Sequence, residues 1–163
     1  MNNLAVITTT TERYATAFGF TEDEVFNAMD QYGMYDRKDE IKSWYDGFTF
    51  GTQRDIYNPW SITCFLKEKR LKTYWANTSS NSLINQLIRE GSSQIKIIME
   101  DLLEGRVLET EIDEEIIFDQ LQTKRGAIWS LLLASGYLKV VSSDFNAQIK
   151  RYVYQLALTN REV

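Results

Sequence analysis

Few residues of this sequence have the types and spacing that site chemistry requires. The chain contains no histidine and one cysteine, Cys64. Catalysis by Ser-His-Asp or Cys-His arrangements is therefore excluded within it, as is metal binding by histidines or paired thiolates. Cys64 lies among apolar residues in "WSITCFLKE", which favours a core position over a reactive thiolate. A single cysteine cannot form an internal disulfide, and this fits a reducing cytoplasm.

Acidic residues are the remaining candidates for metal chemistry. Glu40 and Lys42 have the E-x-K spacing of metal-dependent nucleases. They fall in a helical pattern with no strand-borne acid before it, so we interpret them as a surface pair. The run Asp113, Glu114 and Glu115 could attract a cation, but an exposed turn is the ordinary interpretation. No metal site is predicted, and no Gly-Lys pair or G-x-G-x-x-G sequence is available to bind phosphate.

Basic residues are concentrated in "FLKEKRLKTYW", which places Lys67, Lys69, Arg70 and Lys72 between aromatic residues. This composition is typical of a surface that contacts a nucleic-acid backbone. A basic helix end that complements the helix dipole explains the same residues without a ligand, and the net charge of −5 argues against a dedicated nucleic-acid-binding protein. Nucleic-acid binding through these side chains and a C-terminal hairpin is the alternative function.

The sequence shows no sign of membrane attachment. No apolar run approaches the roughly 20 residues that span a bilayer, and no basic leader precedes an apolar stretch near the start. We therefore expect a cytoplasmic protein that does not bind a membrane.

Helix signals dominate the first part of the chain. Thr21 and Glu24 form the pattern of a capping box at the start of one helix, and Asn58 followed by Pro59 is a strong opening for another. The alternating segment near 48–57 predicts a short β-ribbon between helices. Residues 1–105 are accordingly expected to form a helical, lid-like bundle with one ribbon.

The character of the pattern changes after residue 105. The alternating segment "RVLETEI" predicts a strand. A short apolar helix in "RGAIWSLLLASG" is followed by alternating stretches over 137–141 and 149–158, which predict a β-hairpin. Residues 106–163 thus predict a winged-helix-like unit of helix plus hairpin. The fold class expected for the whole chain is α+β, mainly helical.

The stretch "WYDGFTFGTQRDIYNPWSI" is exceptionally rich in aromatic residues. We interpret it as the core of the bundle, where a ligand pocket is the alternative. The aromatic side chains expected to be buried are Trp44, Phe48, Phe50 and Trp60. On this interpretation Trp60→Ala would lower the free energy of unfolding by ~3–5 kcal/mol. Asp46 and Asn58 are polar within the cluster and need hydrogen-bond partners.

Several segments occur in the order and at the separations of one protein family. They are "NNL", "YATAFGFTEDEV", "WYDGFTFG", "IYNPWSI", "YWANTSSNSLI" and "IWSLLLASGYLKV". Over essentially its whole length the chain resembles bacterial AAA-ATPase-like proteins that carry a PD-(D/E)XK nuclease-like domain at their C-terminal end. The resemblance implies that this chain is the middle region, formed by the lid after the ATPase core and the connector to the nuclease-like domain.

The resemblance implies no catalytic residue and no cofactor within this chain. ATP and Mg are implied only for the complete parent protein, whose ATPase core and nuclease-like domain would be the partners. Without those domains, the apolar surface that they would cover is exposed and would favour self-association of this chain. Positions that match the family motifs, without a known role, are Trp44, Tyr45, Asp46, Gly47, Asn58, Pro59, Trp60, Asn77 and Ser79. The expected function is a non-catalytic lid and interdomain connector; a free-standing enzyme is the least supported hypothesis.

Overall fold

The computed structural model describes residues 7–76, 82–113 and 126–163. These residues form two compact units. The first comprises 7–76 with 160–162, and the second comprises the remaining described residues. The division differs from the boundary after residue 105 that the sequence predicts, because the helices Ser82–Glu90 and Ser93–Leu103 contribute apolar side chains to the core of the second unit.

The first unit combines helices with a small antiparallel sheet of strand order β1-β3-β2. Its elements are β1 (Phe20–Thr21), α1 (Glu22–Gln31), a 3-10 turn (Tyr35–Arg37), α2 (Lys38–Tyr45), β2 (Phe48–Phe50), β3 (Gln53–Tyr57) and α3 (Pro59–Glu68). Their buried apolar side chains form one core. It contains Val25, Met29, Met34, Ile41, Tyr45, Tyr57, Ile62 and Phe65.

The second unit has the same kind of composition, with a sheet of order β4-β6-β5. Its elements are α4 (Ser82–Glu90), α5 (Ser93–Leu103), β4 (Leu108–Thr110), α6 (Ala127–Ala134), β5 (Leu138–Asn146) and β6 (Arg151–Leu158). Its buried core residues are Ile84, Leu102, Ile128, Trp129, Leu132, Leu133, Leu138 and Leu156. Among the described residues, no helix has both the length and the apolarity needed to cross a membrane.

The prediction of a mainly helical chain is wrong. Within the described residues the helices are accompanied by two three-stranded antiparallel sheets. Pairing accounts for the difference: the very short β1 acquires strand geometry by pairing Phe20 with Tyr57 of β3. The C-terminal hairpin also gains a third strand, because Leu108 of β4 pairs with Leu156 of β6. The second unit is therefore a three-stranded sheet with helices, and not the helix plus two-stranded hairpin of the winged-helix-like interpretation.

Local signals in the sequence located several element boundaries correctly. The Thr21 Oγ1 accepts a hydrogen bond from the Glu24 amide, while the Glu24 carboxylate accepts one from the Thr21 amide at 2.8 Å. The predicted ribbon is β2 and β3, and the predicted hairpin is β5 and β6. The first strand of the hairpin continues to Asn146, however, through most of the segment expected to be the turn. These predictions are confirmed because each depends on residues only a few positions apart.

Candidate functional site

The end of α2 carries the first motif residues, and their side chains serve the fold of the first unit. Tyr45 is fully buried. Its hydroxyl donates to the Lys72 carbonyl at 2.9 Å and accepts from the Lys72 amide at 3.0 Å. Burial raises the pKa of Tyr45 to about 12, so the phenol stays neutral. Its two hydrogen bonds hold the backbone of the segment that follows α3. Trp44 beside it is partly buried against the same core.

A polar group that we call the carboxylate cluster surrounds the next motif residue, Asp46. Lys42 of α2 forms an ion pair with Glu22 of α1, and its Nζ lies 3.7 Å from Asp55 Oδ1. The Tyr57 hydroxyl donates to Glu22 Oε2 at 3.2 Å. Three carboxylates, one ammonium and one phenol from α1, α2, β3 and the turn after α2 thus meet in one place.

An irregularity in β3 brings Asp55 into this cluster. Phe48 pairs with Ile56 and Phe50 with Gln53, so β3 has one residue more than β2 between the two pairs. Asp55 takes a left-handed conformation with φ of 58°, which aspartate tolerates better than most residues. Bulges of this kind redirect a side chain out of the regular alternation. On the other side of the cluster, Gly47 supplies a φ of 122° that a side chain would strain.

The surroundings of Asp46 in the cluster change the protonation of its carboxyl. Asp46 is only 9% exposed, and its Oδ1 has no hydrogen-bond partner among the described residues. Burial and the nearby Asp55 carboxylate raise the pKa of Asp46 to about 6, although the Gly47 amide and Lys42 act in the opposite direction. A protonated Asp46 can donate to a neighbouring carboxylate, so the cluster is suited to holding one proton below about pH 6.

The described carboxylates do not form a group of metal ligands. Within residues 7–76, 82–113 and 126–163, no three His, Cys, Asp or Glu side chains are placed to hold a metal ion. Lys42 occupies the centre of the cluster instead, and its ion pair with Glu22 raises the pKa of the ammonium. The E-x-K residues Glu40 and Lys42 also separate: Glu40 pairs with Arg37 at 2.7 Å on the helix surface.

The second motif, "YNPWS", opens α3. The Asn58 Oδ1 accepts hydrogen bonds from the amides of Trp60 at 2.9 Å and Ser61 at 3.3 Å, and Pro59 occupies the first turn. The prediction that Trp60 is buried is wrong, since 57% of it is exposed. The inward face of α3 is formed by Ser61, Ile62 and Phe65, so the cost expected for Trp60→Ala no longer applies. Asn77 and Ser79 lie outside the described residues.

The remaining aromatic residues of the stretch are half-buried and contact one another. The ring centroids of Phe48 and Phe50 lie 6.5 Å apart in a stacked pair, and Phe48 meets Trp75 edge-on at 6.2 Å. Phe18 approaches Phe50 at 5.2 Å. These rings cover the sheet of the first unit, where aromatic contacts add to apolar burial.

The four basic residues predicted to contact nucleic acid differ in whether they form an ion pair. Lys72 is paired with Glu68 at 2.5 Å and lies 5.9 Å from the Tyr74 ring centre. Lys67, Lys69 and Arg70 are exposed, and none of them forms an ion pair within the described part of the chain. Lys69 ends α3 in a left-handed conformation. One of the four predicted cations is therefore already neutralised.

Sequence reasoning missed Glu162, which is only 2% exposed. Its Oε2 accepts a hydrogen bond from the Ser61 hydroxyl at 2.7 Å, and its Oε1 accepts one from the Trp75 amide at 2.6 Å. Burial raises the pKa of Glu162 despite these bonds. Because 101 residues separate Glu162 from Ser61, no local pattern could have paired them.

Comparisons with known proteins add one similarity. No protein-family model matches the chain, and no solved structure matches it. The chain is 33% identical over 93 residues to an "Uncharacterized protein in vnfD 5'region" of Azotobacter chroococcum mcd 1. The matched stretch is 55% of this chain but 17% of that protein's length. The chain is thus similar to a small part of a longer, uncharacterized protein.

Proposed function

We propose that the chain is a non-catalytic lid and interdomain connector of a larger AAA-type ATPase. The observation that carries the proposal is that two family-motif side chains, Tyr45 and Asn58, form hydrogen bonds within the chain's own fold. Tyr45 fastens the Lys72 backbone, and Asn58 caps α3. A lid moves as a unit when it closes, so it requires side chains that hold its own backbone segments together.

Two further observations support this proposal. The similar Azotobacter protein is much longer than the matched stretch, as expected if the chain is one part of a multidomain protein. The sequence has no phosphate-binding glycine loop, so ATP and Mg would be held by the ATPase core of the parent. That core and the nuclease-like domain are the partners that the proposal requires.

ATP turnover by the isolated chain tests the proposal that the chain is non-catalytic. We expect the purified chain, with Mg²⁺, to release phosphate from ATP no faster than a protein-free blank. Turnover above that blank, retained after further purification, would contradict the proposal, because a non-catalytic lid does not hydrolyse ATP. The sequence has no histidine and no phosphate-binding loop that would support such turnover.

The full-length protein that contains this sequence tests the second part. Tyr45→Phe removes the hydroxyl that fastens Lys72 while keeping the buried ring. We expect it to lower ATP turnover without abolishing nucleotide binding, because a loosened lid closes less well over a site that it does not itself form. Tyr152→Phe, at an exposed tyrosine of the second unit, is the matched control. Equal turnover in the two variants would count against a lid role.

Nucleic-acid binding is retained as the second candidate because Lys67, Lys69 and Arg70 are exposed and without ion pairs in the described residues. Titration with labelled duplex and single-stranded oligonucleotides at low and moderate salt separates the candidates. Binding through phosphate contacts weakens steeply with salt. A lid and connector would bind neither oligonucleotide at either salt concentration.

A further inference from the structure

An open groove runs between α1 and α3 in the first unit. Its volume is about 820 Å³, within the ~300–1,000 Å³ common for binding sites. The partly exposed Ala28 of α1 and Leu66 of α3 form its floor, over the buried core residues Val25 and Ile62. Neither the motif contacts nor the proposed lid function use this surface.

The rims of the groove combine exposed aromatic rings with cations. Phe20 and Tyr32 line its α1 side and are exposed. Lys67 and Lys69 line its α3 side and form no ion pair within the described residues. The one acid among the lining residues, Glu24, is engaged in the capping box with Thr21. In a protein of net charge −5, this groove is therefore apolar at its floor and positive at one rim.

Trp60 extends the same surface. It precedes Thr63 and Lys67, which line the groove, by three and seven residues on α3, and this spacing places the three side chains on one helix face. An exposed tryptophan beside an apolar groove is a common anchor of a protein interface. Docking of a partner would explain why so large a ring remains in water here.

We propose that this groove binds an acidic amphipathic α-helix of a protein partner. A groove walled by two helices accepts the apolar stripe of a third, and its open side leaves the polar face of that helix in water. Charge complementarity selects the acidic occupant, whose carboxylates would meet Lys67 and Lys69. A small-molecule site would instead enclose most of its ligand. The proposal does not rest on the lid assignment, since peptide binding and ATP turnover are measured separately.

A pair of peptides tests the proposal on the complete chain. One is a fluorescein-labelled helical peptide with leucine at i, i+3, i+4 and i+7 positions and glutamate elsewhere; in the other, lysine replaces every glutamate. Fluorescence anisotropy should show saturable binding of the acidic peptide and none of the basic peptide. Equal binding of both, or binding of neither, would overturn the proposal.

Charge reversal locates the binding surface. The double variant Lys67→Glu, Lys69→Glu should weaken binding of the acidic peptide roughly fivefold or more, because two attractive pairs become repulsive. The matched control is Lys96→Glu, Lys150→Glu, which likewise changes one helical lysine and one left-handed lysine. Unchanged melting temperatures by circular dichroism establish that both variants fold. An equal loss of affinity in the two variants would overturn the proposal.

Other occupants give distinguishable results. Amide chemical shifts should change on α1 and α3 when the acidic peptide is added, and changes confined to α5 would overturn the proposal. Sedimentation of the chain over a range of concentrations reveals self-association; if the Lys67→Glu, Lys69→Glu variant abolished it, the occupant would be a second copy and not a partner helix. Oligonucleotide binding lost in that variant, without peptide binding, would assign the surface to nucleic acid.

Discussion

Glu162 has a buried carboxylate held by a hydroxyl and a backbone amide. Because burial raises the pKa of Glu162 above its ordinary value of 4.5, the folded state favours the protonated carboxyl more than the unfolded state does. The stabilising contribution is therefore full below about pH 4.5 and is lost as the pH rises through the folded-state pKa.

Two substitutions separate charge from hydrogen bonding at this position. Glu162→Gln keeps an acceptor for the Trp75 amide and removes the titration, so the free energy of unfolding at neutral pH should change by less than about 1 kcal/mol and vary less with pH. Glu162→Ala removes the acceptor of the Ser61 hydroxyl and of the Trp75 amide and should lower it by about 1–3 kcal/mol. Urea denaturation at several pH values measures both. A glutamine variant as unstable as the alanine variant would show that the charge itself stabilises the fold.

Asp46 allows a second test at the scale of one residue. Its pKa is raised from 3.8 to about 6, so its contribution to stability is full below about pH 4 and is lost as the pH rises to about 6. The loss should be on the order of 3 kcal/mol once Asp46 is fully ionised. Asp46→Asn removes the titration, and the difference in free energy of unfolding between variant and wild type should therefore change across this range. Urea denaturation at pH values between about 4 and 7 measures it, with Asp23→Asn, at an exposed residue of α1, as the control. A pH-independent difference would contradict the raised pKa.

At the scale of elements, α3 depends on its N-terminal residues. Asn58 accepts hydrogen bonds from two amides that the helix itself leaves unpaired. Asn58→Ala should lower the free energy of unfolding by about 1 kcal/mol, within the ~0.5–2 kcal/mol range of cap removal. Chemical denaturation measures the change. Asn27→Ala, at an exposed position within α1, is the control and should have little effect; an equal loss in both variants would indicate that Asn58 does not act as a cap.

The sheets show how much of an element lies beyond local sequence. The hairpin β5–β6 and the ribbon β2–β3 follow from alternating residues around nearby turns. β1 is two residues long and has no alternating pattern of its own. The alternation of "RVLETEI" predicts the strand β4 but not its partner. Their pairing with β3 and β6 depends on where the chain returns in space, and this is why the sequence overestimated the helical share.

At the scale of the molecule, each unit has a core of its own. Leu132 is fully buried in the second core, and Leu132→Ala should remove ~2–5 kcal/mol from the stability of that unit. Amide hydrogen exchange should accelerate more in α6, β5 and β6 than in α1 to α3. Ile62→Ala, in the core of the first unit, is the reciprocal variant. Equal acceleration everywhere in both variants would mean that the chain unfolds as one cooperative body.

The sequence by itself determined the features that depend on neighbouring residues. The capping box at Thr21, the Asn58-Pro59 helix opening, the ribbon and the hairpin were all predicted, because each is stabilised by contacts within a few positions. The absence of histidine and of a phosphate loop is likewise a property of the sequence alone.

Only the tertiary structure decided which side chains are buried and which distant groups meet. Tyr45 and Trp60 belong to one aromatic stretch, yet one is fully buried and the other exposed, because the neighbouring elements cover one face of each helix. The pairing of Glu162 with Ser61, the hydrogen bond of Tyr57 to Glu22, and the groove between α1 and α3 all join residues far apart in the chain. Such contacts depend on how the elements pack in space, and local propensity does not encode that packing.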